Sequence, residues 1–321
     1  MKKLLLTIGT LFTLQLSINA QEVSYKVLRD EPNDGINLMV AVNAFGMDMG
    51  LSNIGGATIL GAGMAANANI KNKYGADFTF NYGYLTLATI ANSNENITNS
   101  TKWLELGGYY NFYDKTKSSN IPVVLSTKKT SNSTYETTTT KYINVPAHKR
   151  IMMGARGGII YHSFPLGISS FNKITTFPGS DYLNGSNSGI YLGGQIITIK
   201  NLFVSTDNYG VCKSSKTMRV YLDFLFLPIW SAKYKDVEYK DSLVVDPKIV
   251  GTIFPDALAF SPLGWRCGLI VQPTENRDGA GSGKAGSLYA RMEFGQRPIE
   301  GSYFSFGMGF TIARKKIDKF K

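Results

Sequence analysis

Eight charged residues lie in segments where apolar side chains alternate with small or polar ones. Between residues 218 and 226, Arg219 and Asp223 share one parity, while Leu222 and Phe224 share the other. Successive side chains of a strand point to opposite faces, so the charged residues would share one face. Across an enclosed space, guanidinium and carboxylate groups form strong charge-assisted hydrogen bonds. The predicted ionic set is Asp77, Glu105, Arg156, Arg219, Asp223, Arg266, Arg291 and Glu293.

Residue types suited to catalysis or metal binding are scarce. The 321 residues include two His and two Cys, and His148 and His162 are too far apart for a local zinc motif. The Gly-rich segments 58–66 and 279–284 lack the flanking features of nucleotide-binding loops. We therefore predict no metal site, no cofactor and no enzymatic activity. The enzyme alternative, a membrane-embedded hydrolase or acyltransferase, depends on His162 as general base.

The elements that must position the ionic set are predicted to be strands. Hydrophobic residues make up 43% of the chain, with 18 Tyr, 18 Phe and 33 Gly, and period-two alternation is frequent. Strands are expected near 36–48, 57–70, 76–88, 102–113, 150–163, 189–204, 216–227, 263–272, 286–295 and 302–313. Lengths of about ten residues exceed the ~5–6 typical of soluble sheets and suit a tilted bilayer crossing. The predicted fold is an all-β, antiparallel transmembrane β-barrel of about ten strands.

Strand counts of eight and twelve remain open, because the connection 115–149 is long. With the amino end in the periplasm, short turns such as 71–75 would lie inside and long loops 91–101, 164–188 and 228–262 outside. The connection 115–149 would then be a long periplasmic segment. An added hairpin, with Ile121–Thr127 paired to Tyr135–Val145, would give twelve strands.

The residues that alternate with the ionic positions on each strand are expected to face lipid. This set is uncharged and rich in aromatic and aliphatic residues, as the lipid-facing side of a membrane barrel requires. The predicted lipid-facing residues include Phe78, Phe80, Tyr82, Leu104, Leu106, Leu222, Phe224, Phe306 and Phe310.

The ionic parity would then face the lumen. A barrel of about eight to ten strands is only wide enough inside for side chains to fill it. An unpaired charge there would carry a desolvation cost of several kcal/mol, so four acids and four arginines are expected to pair and close the lumen. The alternative is a passive channel for small solutes.

The first twenty residues predict export. Lys2 and Lys3 precede a mostly apolar stretch, Leu4–Leu16, and Ala20 stands at the expected cleavage point, which is typical of a signal peptide. We expect a signal peptide at 1–20, one barrel domain at 21–313 and a basic tail at 314–321, with the mature protein in the bacterial outer membrane. Export would permit a disulfide between Cys212 and Cys267, and the sequence leaves that pairing open.

The net charge of +11 is concentrated outside the predicted strands. Segment 114–150 has seven basic and two acidic residues, and segment 314–321 has five basic residues and one acidic residue. Both would face the periplasm, where lipid phosphates, peptidoglycan or an acidic envelope protein are candidate partners. Nucleic acid is not expected. The basic tail residues are Arg314, Lys315, Lys316, Lys319 and Lys321.

Three segments resemble those of outer-membrane β-barrel proteins of the Bacteroidota. They are Ala20 before Gln21 and Glu22, the strand Leu104–Tyr110, and the closing strand Phe304–Ile312. The resemblance covers nearly the whole chain after residue 20. It implies an integral outer-membrane barrel, and it permits a structural or partner-docking role in a secretion or motility assembly of the cell envelope.

Overall fold

The computed structural model describes residues 23–32, 38–51, 57–70, 73–89, 101–131, 136–167, 182–233, 262–272, 288–298 and 301–315. These residues form eleven strands and no helix. In chain order the strands are β1 Tyr25–Asp30, β2 Leu38–Gly50, β3 Ala57–Ile70, β4 Tyr74–Thr89, β5 Lys102–Ser131, β6 Glu136–Gly167, β7 Tyr182–Thr206, β8 Gly210–Lys233, β9 Leu263–Gln272, β10 Leu288–Arg297 and β11 Gly301–Lys315.

Ten of the strands close into an antiparallel barrel. Each strand from β2 to β11 pairs with its neighbour in sequence, and β11 pairs with β2 to complete the ring. Strand β1 lies outside this ring and pairs with the end of β7. The predicted all-β barrel of about ten strands is therefore confirmed.

The start of β2 and the end of β11 lie on the same side of the ring, because an even number of antiparallel strands, ten, connects them. We call this side the terminal end. The connections β3–β4, β5–β6, β7–β8 and β9–β10 are at the terminal end, and the other connections are at the opposite end. Arg314 and Lys315, the first two residues of the predicted basic tail, pair with Met39 and Leu38 as the last residues of β11. Residues 1–22 and 316–321 lie outside the described residues.

The long segment 115–149 does not add strands to the barrel. Ile121 pairs with Val145 and Thr127 with Thr140, as the hairpin alternative expected, but both halves continue β5 and β6 without interruption. The twelve-strand alternative is therefore wrong. Period-two alternation did not show that this hairpin continues β5 and β6, because neither face of Tyr135–Val145 carries enough of the apolar residues that mark a lipid-facing strand.

The extension forms a second, small core at the terminal end. Ile121, Val123, Val145 and Ala147 of the extended hairpin pack with Leu202 and Val204 of β7 and Cys212 of β8. This group, which we call the hairpin core, is almost fully buried. Strand β1 closes its edge, where the Asp30 carboxylate accepts a hydrogen bond from the His148 backbone N–H at 2.9 Å.

Shortening Leu202 is expected to release the hairpin while leaving the barrel intact. Leu202→Ala removes a fully buried side chain, and such changes cost about 2–5 kcal/mol. Trypsin should then cleave faster at Lys128 and Lys141 of the hairpin, while the folded barrel still migrates as a compact band on a gel. The matched control is Leu192→Ala, because Leu192 is exposed on the outer face of the same strand. Equal cleavage rates in the two variants would contradict the role assigned to the hairpin core.

The two cysteines are not joined. Cys212 pairs with Val204 and is buried in the hairpin core, whereas Cys267 of β9 pairs with Leu222. Leu222 is ten residues from Cys212 along β8, a distance of about 33 Å for an extended strand. No disulfide can span that separation, which answers the question the sequence left open.

Candidate functional site: an ionic cluster in the barrel lumen

The lumen is crossed by side chains from strands that are widely separated in sequence. Because inward and outward positions alternate, β5 contributes Glu105, β6 contributes Arg156 and β9 contributes Arg266. Asp223 comes from β8, and β10 contributes both Arg291 and Glu293. These six residues form the central ionic cluster.

Arg266 is the hub of the central ionic cluster. Its Nη1 and Nη2 atoms donate to the two carboxylate oxygens of Glu105, each at 2.9 Å, and its Nε donates to Asp223 Oδ2 at 2.7 Å. Nη1 also lies 3.5 Å from Glu293 Oε2. The residue has no exposed surface, so these acids replace its hydration shell.

Two further arginines complete the cluster. Arg156 Nη2 donates to Glu105 Oε1 at 3.0 Å, and Arg156 Nε lies 3.7 Å from Asp223 Oδ1. Arg291 Nη2 donates to Glu105 Oε2 at 2.9 Å and to Glu293 Oε2 at 2.7 Å. Three arginines and three carboxylates thus share one interior with no net formal charge.

Tyrosines fill the spaces between the charged groups. Tyr221 donates its hydroxyl to Glu293 Oε2 at 2.6 Å, and its ring lies 4.1 Å from the Arg156 guanidinium. The Tyr191 ring lies 4.6 Å from the Arg266 guanidinium. Cations over aromatic faces are attracted by the ring quadrupole, most strongly where water is excluded. The cluster is therefore stabilised by rings as well as by carboxylates.

Glycines on neighbouring strands make room for these rings. A Cβ at Gly107 would overlap the Tyr191 hydroxyl, and a Cβ at Gly268 would overlap the Tyr221 ring. Small residues are thus needed at these inward positions, because the Tyr191 ring reaches Gly107 from two strands away and the Tyr221 ring lies over Gly268 from the adjacent strand.

One further ion pair lies on each side of the central ionic cluster. Toward the terminal end, Arg219 Nη1 contacts both oxygens of Asp77 at 2.8 and 2.7 Å. Toward the opposite end, Arg297 Nη1 contacts both oxygens of Asp48 at 3.1 and 3.0 Å. Paired charges therefore lie at the centre of the described lumen and on both sides of it.

All eight residues of the predicted ionic set lie in the lumen, and each forms an ion pair with another member. Sequence reasoning missed the pair of Asp48 and Arg297. The predicted strand 286–295 stopped two residues short, whereas β10 continues to Arg297 with the same parity as Arg291 and Glu293. Extending the predicted strand by two residues would have placed Arg297 on the same face as Arg291 and Glu293.

The outward parity forms an apolar belt. Phe224 is 68% exposed, Tyr82, Leu104, Leu106, Leu222 and Phe310 are also exposed, and Phe78, Phe80 and Phe306 are half-buried. From Met218 to Pro228 the outward positions of β8 are uncharged. That run spans about 33 Å along the strand, or about 25 Å along the axis at a tilt of about 40°, which equals the apolar height of a membrane barrel.

His162 lies in an aromatic environment. Its ring is fully buried, with the Trp103 ring centroid at 5.0 Å and the Phe164 ring centroid at 4.9 Å. In this position the imidazole has no exposed surface at which a substrate could meet it. The geometry gives the hydrolase alternative no support.

Two small cavities flank the central ionic cluster along the wall formed by β2 to β4. One, of about 50 Å³, is lined by Asn43, Asp48, Asn81, Trp103, Arg291 and Arg297. The other, of about 20 Å³, is lined by Asn67, Asp77, Thr79, Arg219 and Arg291 among others. Arg291 lines both, and its Nη1 donates to Thr79 Oγ1 at 2.9 Å. Arg291 therefore borders both cavities.

Comparison of the chain with protein-family models, curated proteins and solved structures gives no match. Within the described part of the chain, no helix is long and apolar enough to cross a membrane. Those residues also contain no group of three or more His, Cys, Asp or Glu side chains placed to hold a metal ion.

Proposed function

We propose that this chain is an integral outer-membrane β-barrel with a lumen closed by ion pairs, acting without catalysis as a structural or partner-docking component of the bacterial cell envelope. The observation that carries the proposal is the combination of a charge-balanced, buried lumen with an exposed apolar belt. A barrel in water would leave large apolar side chains such as Phe224 and Leu192 in contact with solvent, which soluble proteins avoid over large areas.

Docking is supported by the extended hairpin at the terminal end. One face of the hairpin is buried in the hairpin core, while the other exposes Val124 and Tyr142. Its basic residues lie in segment 114–150, and with the basic residues of segment 314–321 they are suited to lipid phosphates, peptidoglycan carboxylates or an acidic envelope protein. Under the proposed export by a cleaved signal peptide, this end faces the periplasm. A secretion or motility assembly of the Bacteroidota is a setting compatible with such a barrel.

Single-channel recording in a planar bilayer tests the closed lumen. We expect the purified protein to insert and give no steady open steps, because buried ion pairs cross the described lumen and the two cavities beside them are small. Insertion is verified independently by protection of the barrel from protease added to vesicles. Steady conductance from inserted wild-type protein would reject the closed barrel.

A passive channel is the second candidate. The observation that favours it is that the Arg291 side chain lines both cavities. Movement of that side chain would join the cavities, so the channel alternative predicts brief openings rather than a permanent pore.

The lipid-facing assignment predicts that Phe224→Arg destabilises the barrel in membranes. An Arg on the lipid face near the bilayer midplane costs about 2–4 kcal/mol. The measurement is the free energy of unfolding in urea with the protein in phosphatidylcholine vesicles. Tyr142→Arg is the control, because Tyr142 is 62% exposed on the hairpin beyond the apolar belt and should tolerate the charge. Equal free energies for the two variants would place Phe224 outside the bilayer.

A further inference from the structure

Four lysines stand directly opposite one another on neighbouring strands at the terminal end. Lys117 of β5 pairs with Lys149 of β6, Lys149 with Lys200 of β7, and Lys200 with Lys216 of β8. All four lie on the outer face, and we call them the lysine row. Neighbouring strands are about 4.8 Å apart, so the row extends over about 14 Å.

Such a row is unfavourable without an anion. Like charges directly opposite on adjacent strands destabilise a sheet. None of the ion pairs among the described residues includes a member of the lysine row. Burial, together with Lys149 and Lys216, lowers the pKa of Lys200, which lies beyond the apolar belt. The lysine row is therefore a concentration of positive charge with no ion pair to any of the described residues.

The neighbouring acids are engaged elsewhere. Asp30 bonds to the backbone and ring of His148, and Asp114 bonds to Arg150. One step along the strands toward the belt, the outward residues are Lys115, Ile151, Thr198 and Met218. One step in the other direction the residues of the same face are Ser119, Ala147, Leu202 and Ser214, of which Ala147 and Leu202 are buried in the hairpin core. No carboxylate lies among these flanking positions.

The position of the row indicates what the anion is. Ile151 and Met218 begin the apolar belt immediately above it, and the exposed Met153, Ile196 and Val220 continue the belt. A lipid with its acyl chains against this surface would hold its phosphate at the level of the lysines. Lysine suits that level because its stem lies along apolar surface while its ammonium reaches the headgroups.

We infer that the lysine row binds the phosphate groups of anionic phospholipids in the leaflet at the terminal end. This inference rests on the proposed membrane embedding of the barrel, and it adds a lipid class and a location to it. Free phosphate shares the charge but lacks the acyl chains that the belt would hold. The bound lipid offsets the repulsion within the row and fixes the height of the barrel in the bilayer.

Thermal unfolding in a neutral detergent with added lipid tests the inference. The probes are phosphatidylglycerol, phosphatidylcholine and inorganic phosphate. We expect phosphatidylglycerol to raise the Tm of the wild type more than phosphatidylcholine does. In the variant with Lys→Gln at 117, 149, 200 and 216, the apparent affinity for phosphatidylglycerol should fall at least about tenfold. Without lipid, the same variant should unfold at or above the wild-type Tm, because the repulsion has been removed.

The matched control has Lys→Gln at 73, 128, 141 and 213, four exposed lysines outside the row. It changes the net charge equally and should keep the phosphatidylglycerol response. If both variants lost affinity for phosphatidylglycerol equally, the effect would come from net charge alone. If inorganic phosphate raised the Tm as much as phosphatidylglycerol does, the row would be a site for free anions. Either result overturns the inference. A folded barrel that needs detergent but shows no preference for phosphatidylglycerol overturns the lysine row alone. A protein that stays soluble without detergent overturns the membrane proposal itself.

Discussion

Glu105→Gln is expected to lower the free energy of unfolding by about 3–5 kcal/mol, the range for breaking a buried ion pair by removing one partner. The Glu105 side chain contacts Arg156, Arg266 and Arg291, and it is 2% exposed. Glutamine has nearly the same shape as glutamate, so the substitution leaves almost no cavity. The loss of unfolding free energy then reflects the lost charge. Three buried guanidinium groups would share the carboxylates of Asp223 and Glu293. The measurement is unfolding by urea in phosphatidylcholine vesicles, followed by tryptophan fluorescence.

The control for this change is Glu31→Gln. Glu31 also pairs with an arginine, Arg29, at 3.1 Å, but its side chain is 60% exposed. Exposed ion pairs contribute about 0–1 kcal/mol, so this variant should resemble the wild type. If Glu105→Gln cost no more than Glu31→Gln, the lumen would be hydrated and the ionic cluster would not close it.

The charge chemistry of the lumen could be predicted from the sequence because alternation assigns each residue of a strand to one of two faces. Arg219 and Asp223, or Arg291 and Glu293, share a face whatever the barrel does elsewhere. Which acid meets which arginine could not be predicted. The contact between Glu105 and Arg266 joins residues 161 positions apart, and it depends on how ten strands are staggered around the ring.

The extension of β5 and β6 was missed for a different reason. A two-stranded ribbon that leaves the barrel needs only one apolar face, and here that face is completed by Leu202, Val204 and Cys212 from other strands. Seen alone, Tyr135–Val145 has too few apolar residues to be assigned to a membrane strand. Its apolar face became recognisable only once the hairpin core was assembled, so tertiary packing rather than local pattern defines this element.

The central ionic cluster pairs its charges within the protein, whereas the lysine row does not. In the lumen, Arg266 meets three carboxylates, and no net charge remains in the central ionic cluster. On the outer face, Lys200 lies between Lys149 and Lys216, with no carboxylate at the flanking positions. Pairing within the barrel favours closure, while unpaired charge at the edge of the apolar belt favours contact with an external anion.

Removing the Arg291 side chain is expected to open the barrel to ions. Arg291 lines both lumen cavities, and it donates a hydrogen bond to Thr79 in the wall of the smaller one. In Arg291→Ala the cavities would join along the wall of β2 to β4 and connect the two ends of the lumen. We expect discrete open steps in a planar bilayer under conditions where the inserted wild type is silent.

Arg291→Met separates the blocking of the lumen from the pairing of its charges. Both substitutions deprive Glu105 and Glu293 of one arginine, so both should destabilise the barrel to a similar extent. Methionine retains most of the side-chain length and should keep the cavities apart, leaving the bilayer silent. Conductance from Arg291→Met would show that charge rather than bulk closes the lumen. If the Arg291→Ala barrel folded correctly but gave no conductance, Arg291 would not be the residue that blocks ions. The block would then be assigned to Arg266, whose guanidinium is held in the lumen by Glu105 and Asp223.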